Sequence, residues 1–181
     1  MVRDSLIIER EDQVTHPLLR RVFAYWQAKA AARGGLPSRA DIDPVDLADA
    51  LPGALPAISL IEVTRDVSGG AERLRYRVVG SLHVEIMGHD ATGEMIDLGS
   101  AEDDAASAAI ATGRAVHAQR RFTPANGRNL SFEALVCPLA SDGLHVDMLL
   151  SVVAPHYQPE DLPATQVNRF ARAALGTMRR R

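Results

Sequence analysis

RLRYRVVGSLHVEIMGHDATGEM, residues 73–95, carries the decisive change of periodicity in this chain. Arg73, Arg75 and Arg77 alternate with Leu74, Tyr76 and Val78, the period of two of a half-buried strand. Gly80 closes that run. Leu82, Ile86 and Met87 then recur at near-helical spacing until Gly88, where a helix commonly ends in a left-handed residue that glycine adopts cheaply. A second glycine-marked turn, GHDATG, follows. A strand that hands over at once to a short amphipathic helix builds a concave α/β shell around a small interior, and it supplies little that does chemistry. The pattern points to sensing rather than catalysis.

Upstream, residues 16–33 give the clearest helical pattern, with Leu18, Leu19, Val22, Phe23, Trp26 and Ala30 on one side and Arg20, Arg21 and Lys29 elsewhere. Thr15 is the expected cap, Pro17 suits the first turn, and Gly34-Gly35 ends the helix. Such a helix needs an apolar partner. The next segment, LPSRADIDPVDLADALPGALP, is dense in proline, and Asp43 is the expected N-cap of a short helix from Pro44 to near Leu51. This segment reads as an ordered connector. ISLIEV and RLRYRVVG then form a hairpin across Ser68-Gly69-Gly70.

Downstream, Ala105, Ala106, Ala108, Ala109 and Ile110 make residues 103–112 a small-residue helix ended by Gly113. Three strands follow at 116–122, 130–139 and 145–153, separated by the turn sequences PANGR and ASDG. The chain reads as helical again from about Thr165 and finishes in Arg179, Arg180 and Arg181. The order predicts an α+β fold: a five-stranded antiparallel sheet with short helices over one face, flanked by N-terminal and C-terminal helices. Residues 1–56 are the N-terminal helix and connector packing on the core, 57–154 the core, and 155–181 the C-terminal helix with its basic end.

Composition narrows the function. The 181 residues are 46% hydrophobic, enough for one domain with a substantial core. A formal charge of -3 gives no global basic field to gather nucleic acid or anionic membrane. Cys137 is the only cysteine, so no internal disulfide forms. MVRDSLIIERED lacks the basic start and apolar stretch of a secretory signal, and no apolar run approaches the ~20 residues that span a bilayer. The expectation is a cytoplasmic protein with no nucleic-acid partner and no stable membrane insertion.

Alternation along the strands sets Ile58, Leu60, Tyr76, Val78, Phe122, Phe132, Val136, Val146 and Met148 toward Ile86, Met87, Met95 and Ile110 of the helices. That row packs as an ordinary core or encloses a cavity, and the spacing fits both. Tyr76, His83 and His117 are the polar side chains placed to orient a guest or to bond within the core. The cavity candidates are therefore Tyr76, Val78, His83, Ile86, Met87, Met95, Ile110, His117, Phe132 and Met148. On the opposite face fall Ile61, Val79, Leu135, Leu149 and Val153, covered in part by the helix bearing Trp26. Arg73, Arg75, Arg77, Arg121 and Glu133 share that side. The arginines pair with Glu62 or Glu133 across strands, or with Trp26 they make a surface for an acidic partner.

Catalytic signatures are mostly missing. His83-x-Glu85 has the form of a zinc deaminase motif without the Cys-x-x-Cys pair that chemistry needs. There is no Gly-x-Ser-x-Gly elbow and no phosphate-cradling Gly-x-x-x-x-Gly-Lys, and Gly80, Gly88 and Gly93 have the wrong spacing for a dinucleotide fingerprint. His83, Glu85 and His89 are spaced to share a metal, or are ordinary core and surface residues. A small cone-shaped α+β isomerase or cyclase with a His or Asp base remains the enzymatic alternative.

Four motifs in order complete the reading: Tyr25-Trp26, Leu36-Pro37-Ser38-Arg39 with Asp41, Ile42, Asp43 and Pro44, then Tyr76-Arg77-Val78-Val79-Gly80, then Gly88-His89-Asp90-Ala91-Thr92-Gly93. From Leu18 to Val153 the chain resembles a PAS domain, specifically the single-domain bacterial PAS proteins with an N-terminal Tyr-Trp helix and a Leu-Pro-x-Arg connector. The resemblance implies a non-enzymatic sensor whose cavity between sheet and helices takes a small-molecule ligand, and whose flanking helices serve a homodimer or a signalling partner. An adaptor with no ligand is the alternative of a different class. The resemblance assigns no cofactor: relatives that bind flavin covalently use a helical cysteine, whereas Cys137 lies in a strand, and the 103–112 helix holds no histidine for haem. Binding would favour one packing of the Trp26 helix against the sheet.

Overall fold

The computed structural model describes residues 4–65, 73–96, 101–122 and 130–156. In chain order these form β1 (Asp4–Ile7), α1 (Pro17–Arg33), α2 (Pro44–Ala50), β2 (Ile58–Thr64), β3 (Arg73–Val78), α3 (Ser81–Met87), α4 (Ala101–Thr112), β4 (Val116–Phe122), β5 (Leu130–Leu139) and β6 (Met148–His156). The strands make one antiparallel sheet in the order β1-β4-β5-β6-β2-β3. It has six strands, not the five expected, because Asp4–Ile7 pairs with β4 from Asp4↔Gln119 to Ile7↔Val116. The helix expected from Thr165 onward and the Ser68-Gly69-Gly70 and PANGR turns lie outside the described residues.

β5 and β6 form the centre, in register from Ser131↔His156 to Leu139↔Met148. Each carries a proline, which donates no backbone hydrogen bond. Both prolines fall where a flanking strand has ended. Pro138 lies beyond Val136, the last residue paired to β4, and Pro155 lies beyond Val152, the last paired to β2. β6 begins at Met148 rather than 145 because the Asp142 carboxylate accepts from the Leu144 and His145 backbones at 2.8 and 2.7 Å and holds a turn.

One face of the sheet is covered by α1, the connector and α2. There Leu19, Val22, Phe23 and Trp26 pack on Ile58, Leu60, Leu135, Cys137, Leu150 and Val152. The other face is covered by α3 and α4, where Ala105, Ala106 and Ala109 pack with Ile61, Tyr76, Val136 and Leu149. The expected face assignment is corrected at seven residues. Ile58, Leu60 and Met148 belong to the α1 side, and Ile61, Val79, Leu149 and Val153 to the α3/α4 side. A register shift between Leu60 and Ile61 sets Leu60 opposite Val78 and Ile61 opposite Tyr76, which turns Val78 out to 50% exposure.

α1 is capped by His16, whose Nδ1 accepts from the Leu18 backbone at 3.2 Å, and not by Thr15. Gly34, at φ 73°, ends it. The connector is then clasped to the β5–β6 turn: Ala140 donates to Pro37 O at 2.9 Å, Leu36 to Gly143 O at 3.3 Å, and Arg33 Nη2 to Ser141 O at 2.8 Å. Asp43 caps α2 as expected, accepting from Val45 at 2.7 Å. Tyr25 and Lys29 meet Asp46 at 2.9 and 2.6 Å, and burial with that acceptor pushes the Tyr25 hydroxyl up to about 12.

Gly80 fixes where α3 starts. A Cβ there would lie 2.4 Å from Pro56 O and 2.5 Å from Ile58 O, backbone atoms that cannot swing aside. Gly80→Ala is expected to cost about 1–3 kcal/mol, the range for overpacking, and so to lower Tm by roughly 2–12 °C for a chain of this size. Thermal unfolding followed by circular dichroism checks it; an unchanged Tm would show that β2 and α3 are not in this contact.

The connector makes a second expectation. The Ser38 backbone and hydroxyl donate to Asp41 Oδ2 at 2.7 and 2.8 Å and Arg33 Nη1 at 2.8 Å, which together hold the carboxyl below its ordinary value of 3.8. A carboxyl lowered in the folded state adds stability above its unfolded pKa, and loses it as pH falls through the folded value. Asp41→Asn should therefore unfold at a lower temperature than the parent at neutral pH, and the gap should close on acidification. A gap that does not change with pH would remove Asp41 from this role.

Candidate functional site

Beneath α3 and α4 lies a cavity of about 20 Å³. Its floor comes from the sheet: Ile61, Tyr76, Phe132, Ala134, Val136, Ser151 and Val153. Its roof is His83 of α3 with Ala105 and Ala106 of α4. This volume holds about one water molecule. Phe132, Ala134 and Val136 are alternate residues of β5, so Glu133, Leu135 and Cys137 between them face α1.

The polar corner of the cavity is made by Tyr76, His83 and Ser151, and His83 is held there by Ser59 of β2. His83 Nδ1 lies 2.9 Å from Ser59 Oγ, both buried, and the same oxygen accepts from the Gly80 backbone at 3.3 Å. The His83 ring meets the edge of Tyr76, with centroids 5.6 Å apart and planes at 89°. The short link from β3 through Gly80 to α3 brings these groups together. Tyr76, His83 and Phe132 of the sequence candidates therefore line one cavity. Ile86 packs with Phe132, Ala134 and Val153 at its margin, while Met87 and Ile110 are partly buried on the same side.

The remaining candidates fall elsewhere. Val78 and Met95 are half exposed, Met95 at 51%. Met148 packs on the α1 side. His117 also faces α1, where its Nε2 lies 2.7 Å from Glu133 Oε2, both side chains buried. Thr15, the expected helix cap, donates its hydroxyl to the Glu133 carboxylate at 3.3 Å instead. Glu133 is thus part of a buried cluster under the start of α1 and not of the arginine surface. Ser59, Ser151 and Glu133 were absent from the candidates; Ser59 and Ser151 sit in apolar runs where a lone serine carries no spacing signal.

The proposed partner surface is also rearranged. Trp26 is only 8% exposed, stacks on Phe23 and donates its indole N–H to Pro138 O at 2.9 Å, so it belongs to the core. Arg75 grips Glu62 through Nε at 3.1 Å and Nη2 at 2.6 Å, and Arg77 lies 4.0 Å from the same carboxylate. That arrangement lowers the Glu62 pKa, chiefly through the Arg75 hydrogen bond. Arg73 is exposed. The Arg121 side chain lies outside the described residues.

For metal or thiol chemistry the described residues offer little. His83 is buried whereas Glu85 and His89 are exposed, and His89 Nε2 meets Glu94 at 3.1 Å, which raises the His89 pKa. No three His, Cys, Asp or Glu side chains among the described residues converge to hold a metal. Cys137 packs on the α1 side, away from the cavity, and burial pushes its thiol pKa up, so it does not fit as a cavity nucleophile. No helix among the described residues is long and apolar enough to cross a membrane.

Residues 14–154 match the family model of the PAS domain, and the chain belongs to that family. Membership implies a sensory or regulatory role. Among solved structures the chain is similar to an RNA-binding light-oxygen-voltage receptor, at 18% identity and a TM-score of 0.44, over 80% of this chain and 42% of that one. It is also similar to a fungal LOV domain photoreceptor, at 14% identity and a TM-score of 0.40, over 66% of this chain and 95% of that one. The chain thus spans less than half the length of the first of these. No curated protein matches it.

Ser59 is the hinge of the polar corner. Ser59→Ala would leave the Gly80 N–H and one His83 nitrogen without this oxygen in a buried place, at a cost of about 1–3 kcal/mol. Urea unfolding measures the loss, and the His83 ring signals should shift in the NMR spectrum. A variant as stable as the parent with unmoved His83 signals would detach Ser59 from the site.

Proposed function

We propose that this PAS-domain chain is a sensory or regulatory module whose α3/α4 cavity admits a small guest and whose output is a shift in how the helices pack on the sheet. The observation that carries the reading is the enclosed cavity with one polar corner, roofed by alanines. Ala105, Ala106 and Ala109 bind α4 to the sheet through single methyl groups, each contributing about 0.8 kcal/mol. Separating α4 from the sheet is therefore cheap compared with separating α1, which buries Leu19, Val22, Phe23 and Trp26. A guest that contacts Tyr76 and His83 offsets that cost and favours the opened form.

β5 links the two faces. Displacing Phe132 or Ala134 moves Glu133 and Leu135, on which the start and middle of α1 rest. An adaptor that binds no small molecule is the second reading, and the small size of the cavity favours it. The partner for either reading is a second copy of the chain or a signalling protein, and no reaction is proposed.

Native mass spectrometry of the chain purified from its own host tests the choice. A retained small molecule, lost in Ala106→Val while circular dichroism is unchanged, is the expected result. An empty parent protein would favour the adaptor, and a guest retained equally by Ala106→Val would place binding elsewhere.

A further inference from the structure

The two edges of the sheet are unequal. Along β3 the outer backbone is occupied: Tyr76 donates to Glu94 O at 3.0 Å, Ile96 to Leu74 O at 3.0 Å, and Gly93 to Tyr76 O at 2.8 Å. Outside β1 there is no strand among the described residues, and Leu6 and Ile7 are 52% and 38% exposed. Ile8 donates inward to Ala115 O at 2.9 Å, so the alternation of an antiparallel ladder turns the backbone N–H and C=O of Ile7 outward. Edge strands are ordinarily guarded by shortness, charge, proline or a bulge; β1 is short, but DSLI has no lysine, proline or bulge.

Beside this edge a groove of about 280 Å³ opens between β1 and α1. Ile8, Phe23 and Trp26, core residues with only their outer edges at 2%, 1% and 8% exposure, close its floor, and Gln27, Glu9 and Arg114 form its polar rim. The rim is tied together, since Gln27 donates to Glu9 O at 3.3 Å and Arg114 pairs with the Glu9 carboxylate. An exposed leucine and an apolar groove thus lie along one strand, on the same face, because Leu6 and Ile8 are alternate residues.

We propose that this edge is the interface with a second copy of the chain, two β1 strands pairing antiparallel about Ile7 while Leu6 of each copy enters the groove of the other. Pairing about Ile7 sets position 6 opposite position 8, which brings each Leu6 beside Ile8 at the groove floor. It also sets position 5 opposite position 9 and places Ile7 opposite its own copy. A two-fold interface needs such self-complementarity, each patch supplying both knob and hole. A different protein would have to match both the apolar pair and the strand register by coincidence; a second copy matches them by symmetry.

Sedimentation velocity on the full chain across a dilution series tests the interface. The parent should pass from dimer to monomer on dilution, and Leu6→Glu should sediment as a monomer throughout, with unchanged circular dichroism and Tm. Ile7→Cys should give a disulfide-linked dimer under mild oxidation, whereas Glu11→Cys should not; buried Cys137 stays unreactive in both. A parent that is monomeric throughout, or a Leu6→Glu variant that dimerises like the parent, overturns the proposal. So does a monomer whose Ile7 amide, the one turned outward, is protected from hydrogen exchange, since another part of the chain would then cover the edge.

Discussion

The pairing of β5 with β6 is the constraint from which the rest of the structure follows. Nine residue pairs in one register place two strands at the centre of the sheet with apolar layers on both faces. Neighbouring residues answer to different layers, Leu135 to α1 and Val136 to α4. A slip of one residue would exchange the faces and drive Glu133 into the alanine layer, away from His117 and Thr15. The buried carboxylate therefore contributes to register as well as to the cluster it belongs to: its alternative position has no partner and carries the cost of an unpaired buried charge.

How much of this was legible depended on whether one face of an element meets water. α1, α2 and the turns at Gly34, Gly88 and Gly113 could be located because polar residues or glycine mark their limits. The parity of β2 and β6 could not. ISLIEV and MLLSVVA are apolar at odd and even positions alike, as strands buried on both sides must be, so nothing in them distinguishes the α1 face from the α4 face. The shift at Leu60/Ile61 then displaced Val78 from the row it continues in the sequence. β1 was missed for a different reason. Four residues carry too little periodicity, and their partner strand lies more than a hundred residues downstream.

The two histidines show how the candidate site was half legible. His83 and His117 look alike in the sequence, each a polar residue among apolar ones. The sheet separates them, and each is committed to a partner on its own face: Ser59, 24 residues away, and Glu133, 16 residues away. Both sites obey the same rule that a buried polar group must be bonded, and no buried side-chain nitrogen or oxygen among the described residues lacks a partner. Sequence spacing shows the demand for a partner without showing which residue meets it. Glu133 in particular reads as the surface mate of an arginine, because glutamate is so seldom buried.

The two helical layers are held with unequal strength, and this decides which of them can respond. α1 is fastened to β5 at its start, by Thr15 to Glu133, and midway, by Trp26 to Pro138, and its C-terminal Arg33 reaches Ser141 O just beyond that strand. It also buries large side chains between those points. Among its described side chains α4 meets the sheet chiefly through alanine methyls, with Ile110 partly buried beside them. Bulky residues on α1 give adhesion, whereas small residues on α4 give close approach with little to lose on parting. A perturbation inside the cavity therefore acts first on α4 and α3, and reaches α1 only as a strain passed through β5. The cavity and the less firmly held helix thus lie on one side of the sheet, and the firmly held α1 on the other.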